Sequence, residues 1–235
     1  MRTRKFTFAA MLAFISVATL HAETVDEIIN KHLDAIGGKD AWRKITCIRM
    51  EGTTTVQGSD IAMTFTRVQR KGARMDISVM GMSGYTILTP TDGWTYMPFQ
   101  GQTKPEPMTA DDVKAAQDEL DLQGELVDYK DKGNTVELLG KEDVDGTECW
   151  KLKVTFKGGL IRTNFIDPAT YYIIKHTDKM TVNGQEHEQS INFSNFKKLP
   201  EGIVVPMTIG SGMGDVVLKK VEINGKVDDS LFKAG

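Results

Sequence analysis

Apolar side chains recur three and four residues apart along residues 24–38, TVDEIINKHLDAIGG. Val25, Ile28, Ile29, Leu33 and Ile36 thereby mark one face of a helix. Thr24 followed by Glu27 forms a capping box, and Gly37 and Gly38 supply a left-handed stop. The stretch KDAWRKI adds a short second helical turn carrying Trp42 and Ile45. From residue 46 the period drops to two. CIRMEGTTTV and DIAMTFTRVQRKG read as strands joined near QGSD, and ARMDISVMG, YTILTP and GWTYMPF continue through the turns MSG and TDG. Ile61, Met63 and Phe65 alternate with Ala62, Thr64 and Thr66, and Met75, Ile77 and Val79 alternate with Asp76 and Ser78. One apolar face and one wet face are what an antiparallel sheet requires.

The alternation stops at KPEPMTADDVKAAQDELDLQGELVDYKDKG. Two prolines precede a helical run from about Thr109, N-capped through Asp112, with a thin apolar line of Val113, Ala116 and Leu120. A lid across an opening and a plain connector are equally good readings of this segment. Strands resume at Asn134 and run to the C-terminal VEINGKVDDSLF, punctuated by DG, GG and NG turns. Trp150, Leu152, Val154 and Phe156 alternate with Lys151, Lys153, Thr155 and Lys157. About ten or eleven strands are too many to stay flat, so the sheet curls. The expected fold is mainly β, of the α+β kind: an antiparallel half-open β-barrel. Its N-terminal and central helices cover a concave, hydrophobic cavity. No linker-like stretch divides residues 23–235, which read as one domain.

Residues 1–22 are set apart from this pattern. Arg2, Arg4 and Lys5 precede an apolar run from Phe6 to Leu20, and Ala22 stands before the expected cut: the form of a cleavable secretory signal. Position 23 is glutamate, not the cysteine that a lipid anchor needs, so the expected product is a free periplasmic protein, a monomer. Removing those three cations from 29 leaves 26 basic against 32 acidic residues, a net charge of about −6. That balance argues against nucleic acid as a partner. Cys47 and Cys149 remain; an exported compartment permits a disulfide between them, and two free thiols are the alternative.

Chemistry is sparse. His32, His176 and His187 are the histidines beyond the leader, and no metalloprotease, hydrolase or phosphate-loop motif is present. In QEHEQ, His187 faces away from Glu186 and Glu188 on a strand, so the three read as a solvated hairpin rather than a metal site. Neither a metal nor a cofactor is expected, nor an enzyme. An esterase drawing on Ser78, Ser83 and His176 is the weakest reading, because no motif joins them.

The methionines are the conspicuous feature. Of the twelve, seven lie between residues 50 and 108: Met50, Met63, Met75, Met80, Met82, Met97 and Met108. Methionine fills cores, but it also serves walls that adapt to variable apolar partners. A tight single-state core favours branched residues. The expected ligand-binding wall is Met50, Met63, Phe65, Met75, Ile77, Val79, Tyr85, Ile87, Trp94 and Met97.

The opening AETVDEIINKHLDAIGGKDAWRKITCIRMEGT resembles the start of exported bacterial proteins of the LolA-like superfamily. FIDPATYYIIKH, INFSNFKKLPEGIVVPMTI and VEINGKVDDSLF continue that resemblance over nearly the whole chain after the leader. It implies an incomplete barrel closed by helices, holding acyl chains of lipoproteins or other lipids for transport to the outer membrane. It also implies an inner-membrane ABC transporter and an outer-membrane acceptor as partners. The cavity-mouth arginine of the carriers has four conceivable counterparts: Arg43, Arg49, Arg67 and Arg74. A lipid- or lipoprotein-sensing module without transfer activity is the alternative to a carrier.

Overall fold

The computed structural model describes residues 23–182, 185–212 and 214–234; the leader read from residues 1–22 lies outside them. Helix α1 (Val25–Ala35) is capped by the Thr24–Glu27 box, and α2 (Lys39–Arg43) follows at once. Five antiparallel strands come next: β1 (Cys47–Val56), β2 (Ser59–Val68), β3 (Gly72–Val79), β4 (Met82–Leu88) and β5 (Gly93–Tyr96). A two-residue strand β6 (Glu106–Pro107) leads into α3 (Ala110–Ala115) and a 3-10 turn (Gln117–Leu120). The second run is β7 (Thr135–Val144), β8 (Thr147–Thr155), β9 (Ile161–Ile166), β10 (Ile173–Val182), β11 (Gln185–Lys198), β12 (Val204–Ser211) and β13 (Gly214–Ile223). A further 3-10 turn (Asp229–Phe232) follows it.

All thirteen strands form one sheet, in the order β6-β5-β4-β3-β2-β1-β13-β12-β11-β10-β9-β8-β7. Each half is a meander, and the last strand lies beside the first, with Ile48 opposite Ile223 and Met50 opposite Val221. The sheet's two edges, β6 and β7, are consecutive in sequence, joined by residues 108–134. This is the half-open barrel expected, with two strands more than anticipated; β6 is too short to show as alternation.

The helices and the 108–134 segment pack on one face, here the inner face. Ile28, Ile29 and Leu33 of α1 meet Leu152 and Val154 of β8, Ile166 of β9, and Leu126 and Val127 of the segment. Fully burying each such side chain contributes about 1.5–3 kcal/mol. Val113 and Leu120, with Ala116 at their margin, cover Ala73 and Leu88, so the thin apolar line of the segment is its docking stripe. Leu122 joins Ile45, Ile48, Ile203 and Val205 in between. The segment is therefore neither an idle connector nor a loose flap. The Gln69 side chain donates to Asp121 and accepts from the Leu122 N–H, both at 2.8 Å, and the Arg70 N–H donates to the Leu120 carbonyl.

On the outer face the C-terminal turn packs against β3. The Phe232 ring occupies the space where a Cβ on Gly72 would stand, and Arg74 donates to the Leu231 carbonyl at 2.9 Å. Cys47 and Cys149 are both buried as free thiols. They lie on β1 and β8, with five strands between them in the sheet, so of the two alternatives for the pair the structure has the free thiols. Burial pushes both thiols above their usual range, Cys149 to about 11.

Candidate functional site: the inner-face trough

Cross-strand partners in a sheet share a face. Met50 is paired with Phe65, Phe65 with Met75, and Met63 with Ile77, which puts all five on the inner face. Val79 follows two residues on, opposite Met82. Met97 also lies inside, because its sulfur stands beside Gly84, the partner of Ile77. Seven of the ten expected wall residues thus converge: Met50, Met63, Phe65, Met75, Ile77, Val79 and Met97. All are half-buried, and they lie beyond the part of the inner face that α3 covers. At the hairpin tips beside them, Val56, Met80 and Met82 are exposed, Met80 by 80%. The result is an apolar trough with a greasy lip.

Tyr85, Ile87 and Trp94 belong elsewhere. Tyr85 pairs with Asp76 and Tyr96, and Ile87 with Arg74 and Trp94, all on the outer face. Met80 and Gly81 both have positive φ, forming a two-residue hairpin turn that sets Val79 opposite Met82. Odd positions on β3 therefore share a face with even positions on β4. Arg74 stacks over Tyr85 at 4.4 Å and binds Asp76, so this outer patch is closed on itself. Ser78 and Ser83 pair on the outer face as well, whereas His176 is inside, so the esterase trio is not assembled.

A charged knot, absent from the sites expected above, lies on the β9–β10 part of the inner face. Arg162 grips Asp178 with two hydrogen bonds of 2.7 Å and reaches Glu125 at 3.2 Å. The Asn164 amide donates to Glu125 at 2.8 Å. Glu125 comes from the 108–134 segment, so the knot ties that segment to the sheet; its side chain is 10% exposed. Burial pushes the Glu125 carboxyl up, but Arg162 and Asn164 outweigh it and hold it down at about 2. His176, beside Asp178, is driven down to about 4, first by burial and then by the Arg162 charge. The Asn164 carbonyl oxygen is buried without a hydrogen-bond partner.

Of the four conceivable mouth arginines, only Arg67 shares the register of the inner face, opposite Ile48 and Ala73. Arg43 binds Asp128, Arg49 binds Glu51 and Arg74 binds Asp76. The pocket under residues 122–127 is about 160 Å³, lined by His32, Leu33, Trp42 and Ile173 among others. Ligand pockets run to about 300–1,000 Å³, so this pocket is too small; the continuous apolar lining makes the open trough the candidate site. Among the described residues no group of three or more His, Cys, Asp or Glu side chains is placed to hold a metal.

His176 makes the fold sensitive to mild acid. Its ordinary value near 6.5 falls to about 4 in the folded chain, so between those values only the unfolded chain takes up the proton. Its contribution is complete above pH 6.5 and is lost as pH falls toward 4, by up to about 3 kcal/mol. Urea denaturation at pH 7.5 and pH 4.5 is expected to show a smaller loss of stability in His176→Gln than in the parent.

An antiparallel half-barrel with one face half plugged and half open leaves an apolar surface uncovered. Solved structures place it more closely. A LolA superfamily protein from Nitrosomonas europaea superposes with a TM-score of 0.55 at 14% identity, over 90% of this chain and 98% of that one. A DUF1329 family protein from Desulfovibrio piger gives 0.52 at 12% identity, over 87% and 97%. An outer membrane lipoprotein-sorting protein domain from Vibrio parahaemolyticus gives 0.50 at 15% identity, over 87% and 94%. No family model matches the sequence, and no curated protein is significantly similar to it in sequence. The fold is LolA-like, as the sequence resemblance implied.

Proposed function

We propose that this chain is an exported, periplasmic carrier that binds acyl chains of lipoproteins or other lipids along the inner-face trough. The observation that carries the reading is the row Met50, Met63, Phe65, Met75, Ile77 and Val79, half-buried on one face and opening onto exposed Met80 and Met82. Each CH₂ withdrawn from water contributes about 0.8 kcal/mol, so an acyl chain binds such a wall through area, with no fixed hydrogen-bond pattern. Unbranched methionine side chains re-pack around chains of different length. No helix among the described residues is long and apolar enough to cross a membrane, which accords with a carrier that moves between membranes. The expected partners are a membrane transporter that loads the trough and an acceptor that empties it. The function is binding and transfer rather than catalysis.

Uptake of a fluorescent fatty acid, 11-(dansylamino)undecanoic acid, tests this. Met63→Asp combined with Ile77→Asp is expected to weaken uptake more than tenfold, while Trp94→Gln, on the outer face, leaves it unchanged. Equal loss in both variants, or no uptake by the parent, overturns the reading.

A further inference from the structure

The sheet is split. β12 and β13 pair only from Thr208–Val217 to Ser211–Gly214. Beyond that point Val204–Pro206 pair only with β11, and Leu218–Ile223 pair only with β1. Two features of the sequence force the strands apart. The Val204 N–H points away from β11 and donates to the Ile36 carbonyl at 2.8 Å; alternate residues point the same way, so Pro206 turns its donorless nitrogen toward β13. On β13, Gly52 is opposite Leu218 and Glu51 opposite Lys220, so Lys219 is the extra residue of a bulge that bends the strand.

The wedge between them is a cleft of about 530 Å³. Its apolar lining is Leu199, Pro200, Met207 and Val221, and its rim is Lys197, Lys198, Lys219 and Lys220. Lys220 is paired with Glu222; the other three make no salt bridge among the described residues. In a chain with more acidic than basic residues this is a concentrated basic site. The cleft side of β13 is an unpaired strand edge, whose backbone groups a polypeptide satisfies and an acyl chain does not.

We propose that this cleft docks an extended, acidic segment of a partner protein, added as a strand along the free edge of β13. Alternate carboxylates of the segment meet Lys198, Lys219 and Lys220 on the outer face, and the intervening apolar side chains settle on Met207 and Val221 on the inner face. The proposal does not depend on acyl binding in the trough.

Fluorescence anisotropy with a fluorescein-labelled octapeptide of alternating glutamate and valine tests it on the purified protein. Saturable binding is expected, weakening more than tenfold in Lys198→Glu combined with Lys219→Glu, and more than tenfold when alternate peptide nitrogens are methylated. Lys198→Gln with Lys219→Gln gives an intermediate loss and serves if charge reversal impairs folding, which circular dichroism reports. The lysine–valine counterpart and vesicles of phosphatidylglycerol are expected not to bind. Absence of octapeptide binding overturns the proposal, as does binding indifferent to N-methylation or to the lysines. Vesicle binding that is lost with the same lysines makes the site a membrane contact and equally overturns it.

Discussion

Replacing Arg162 by methionine is expected to destabilise the protein by about 3–5 kcal/mol, the cost of breaking a buried ion pair from one side. The reason lies in what is left behind. Asp178 loses a two-pronged partner at 2.7 Å, and Glu125 loses the charge that holds its carboxyl down. Both carboxylates are largely shielded from water. Urea denaturation at pH 7.5 measures the loss. Adding Glu125→Gln and Asp178→Asn to Arg162→Met is expected to restore most of it, since uncharged groups of similar shape leave no orphaned charge. A triple variant as unstable as the single one shows instead that the guanidinium acts through packing, for which its position 5.4 Å from the Phe156 ring is the available contact. Amide exchange separates a local from a global effect. Residues 121–127 are expected to lose protection first, because the knot is what ties them to β9 and β10.

Gly37→Ala is expected to be nearly as damaging, at about 3 kcal/mol or more, through a different mechanism. Gly37 has φ of +111°, and a Cβ there would lie 2.4 Å from the Gly202 carbonyl oxygen and 2.8 Å from the Ile203 Cα. Left-handed backbone costs a substituted residue about 1–2 kcal/mol. The clash comes on top of that, and both sides of it are backbone, which cannot rotate away. Yielding would separate the end of α1 from the start of β12, where the Ile36 carbonyl accepts the Val204 N–H. Gly146→Ala is the control: it has φ of +87° but open space around its Cβ position, so only the conformational cost applies. Thermal melts of the two variants are expected to differ clearly; equal melts would mean that the α1–β12 junction gives way cheaply.

The helix boundaries, the strand alternation and the docking stripe of Val113, Ala116 and Leu120 are legible in the chain because each is a local periodicity. The Met75-Ile77-Val79 face is legible for the same reason. Tyr85, Ile87 and Trp94 resemble it in composition alone, and the two-residue Met80–Gly81 turn carries them to the other face. That turn is itself a readable signal, since the register across it follows from its length. Arg162 and Asp178 are cross-strand partners only 16 residues apart, but Glu125 reaches them only when the 108–134 segment crosses the sheet. Their one local trace is LIRTNFI, in which Arg162 and Asn164 stand four and two residues before Ile166, on a face that is otherwise apolar. The cysteines illustrate a topological limit: both lie on strands, but only the strand order tells that five others separate them.

The strand order has a mechanical consequence. The two edges of the open barrel are neighbours in sequence, and the chain linking them crosses the inner face. That crossing works as a drawstring. Spreading the edges to admit a thicker ligand pulls on both ends of the string and lifts it off Leu88 and Ala73 at one end and away from Arg162 at the other. Sheet curvature and the seating of the crossing chain are then a single coordinate, so a guest that widens the mouth loosens the plug by the same movement.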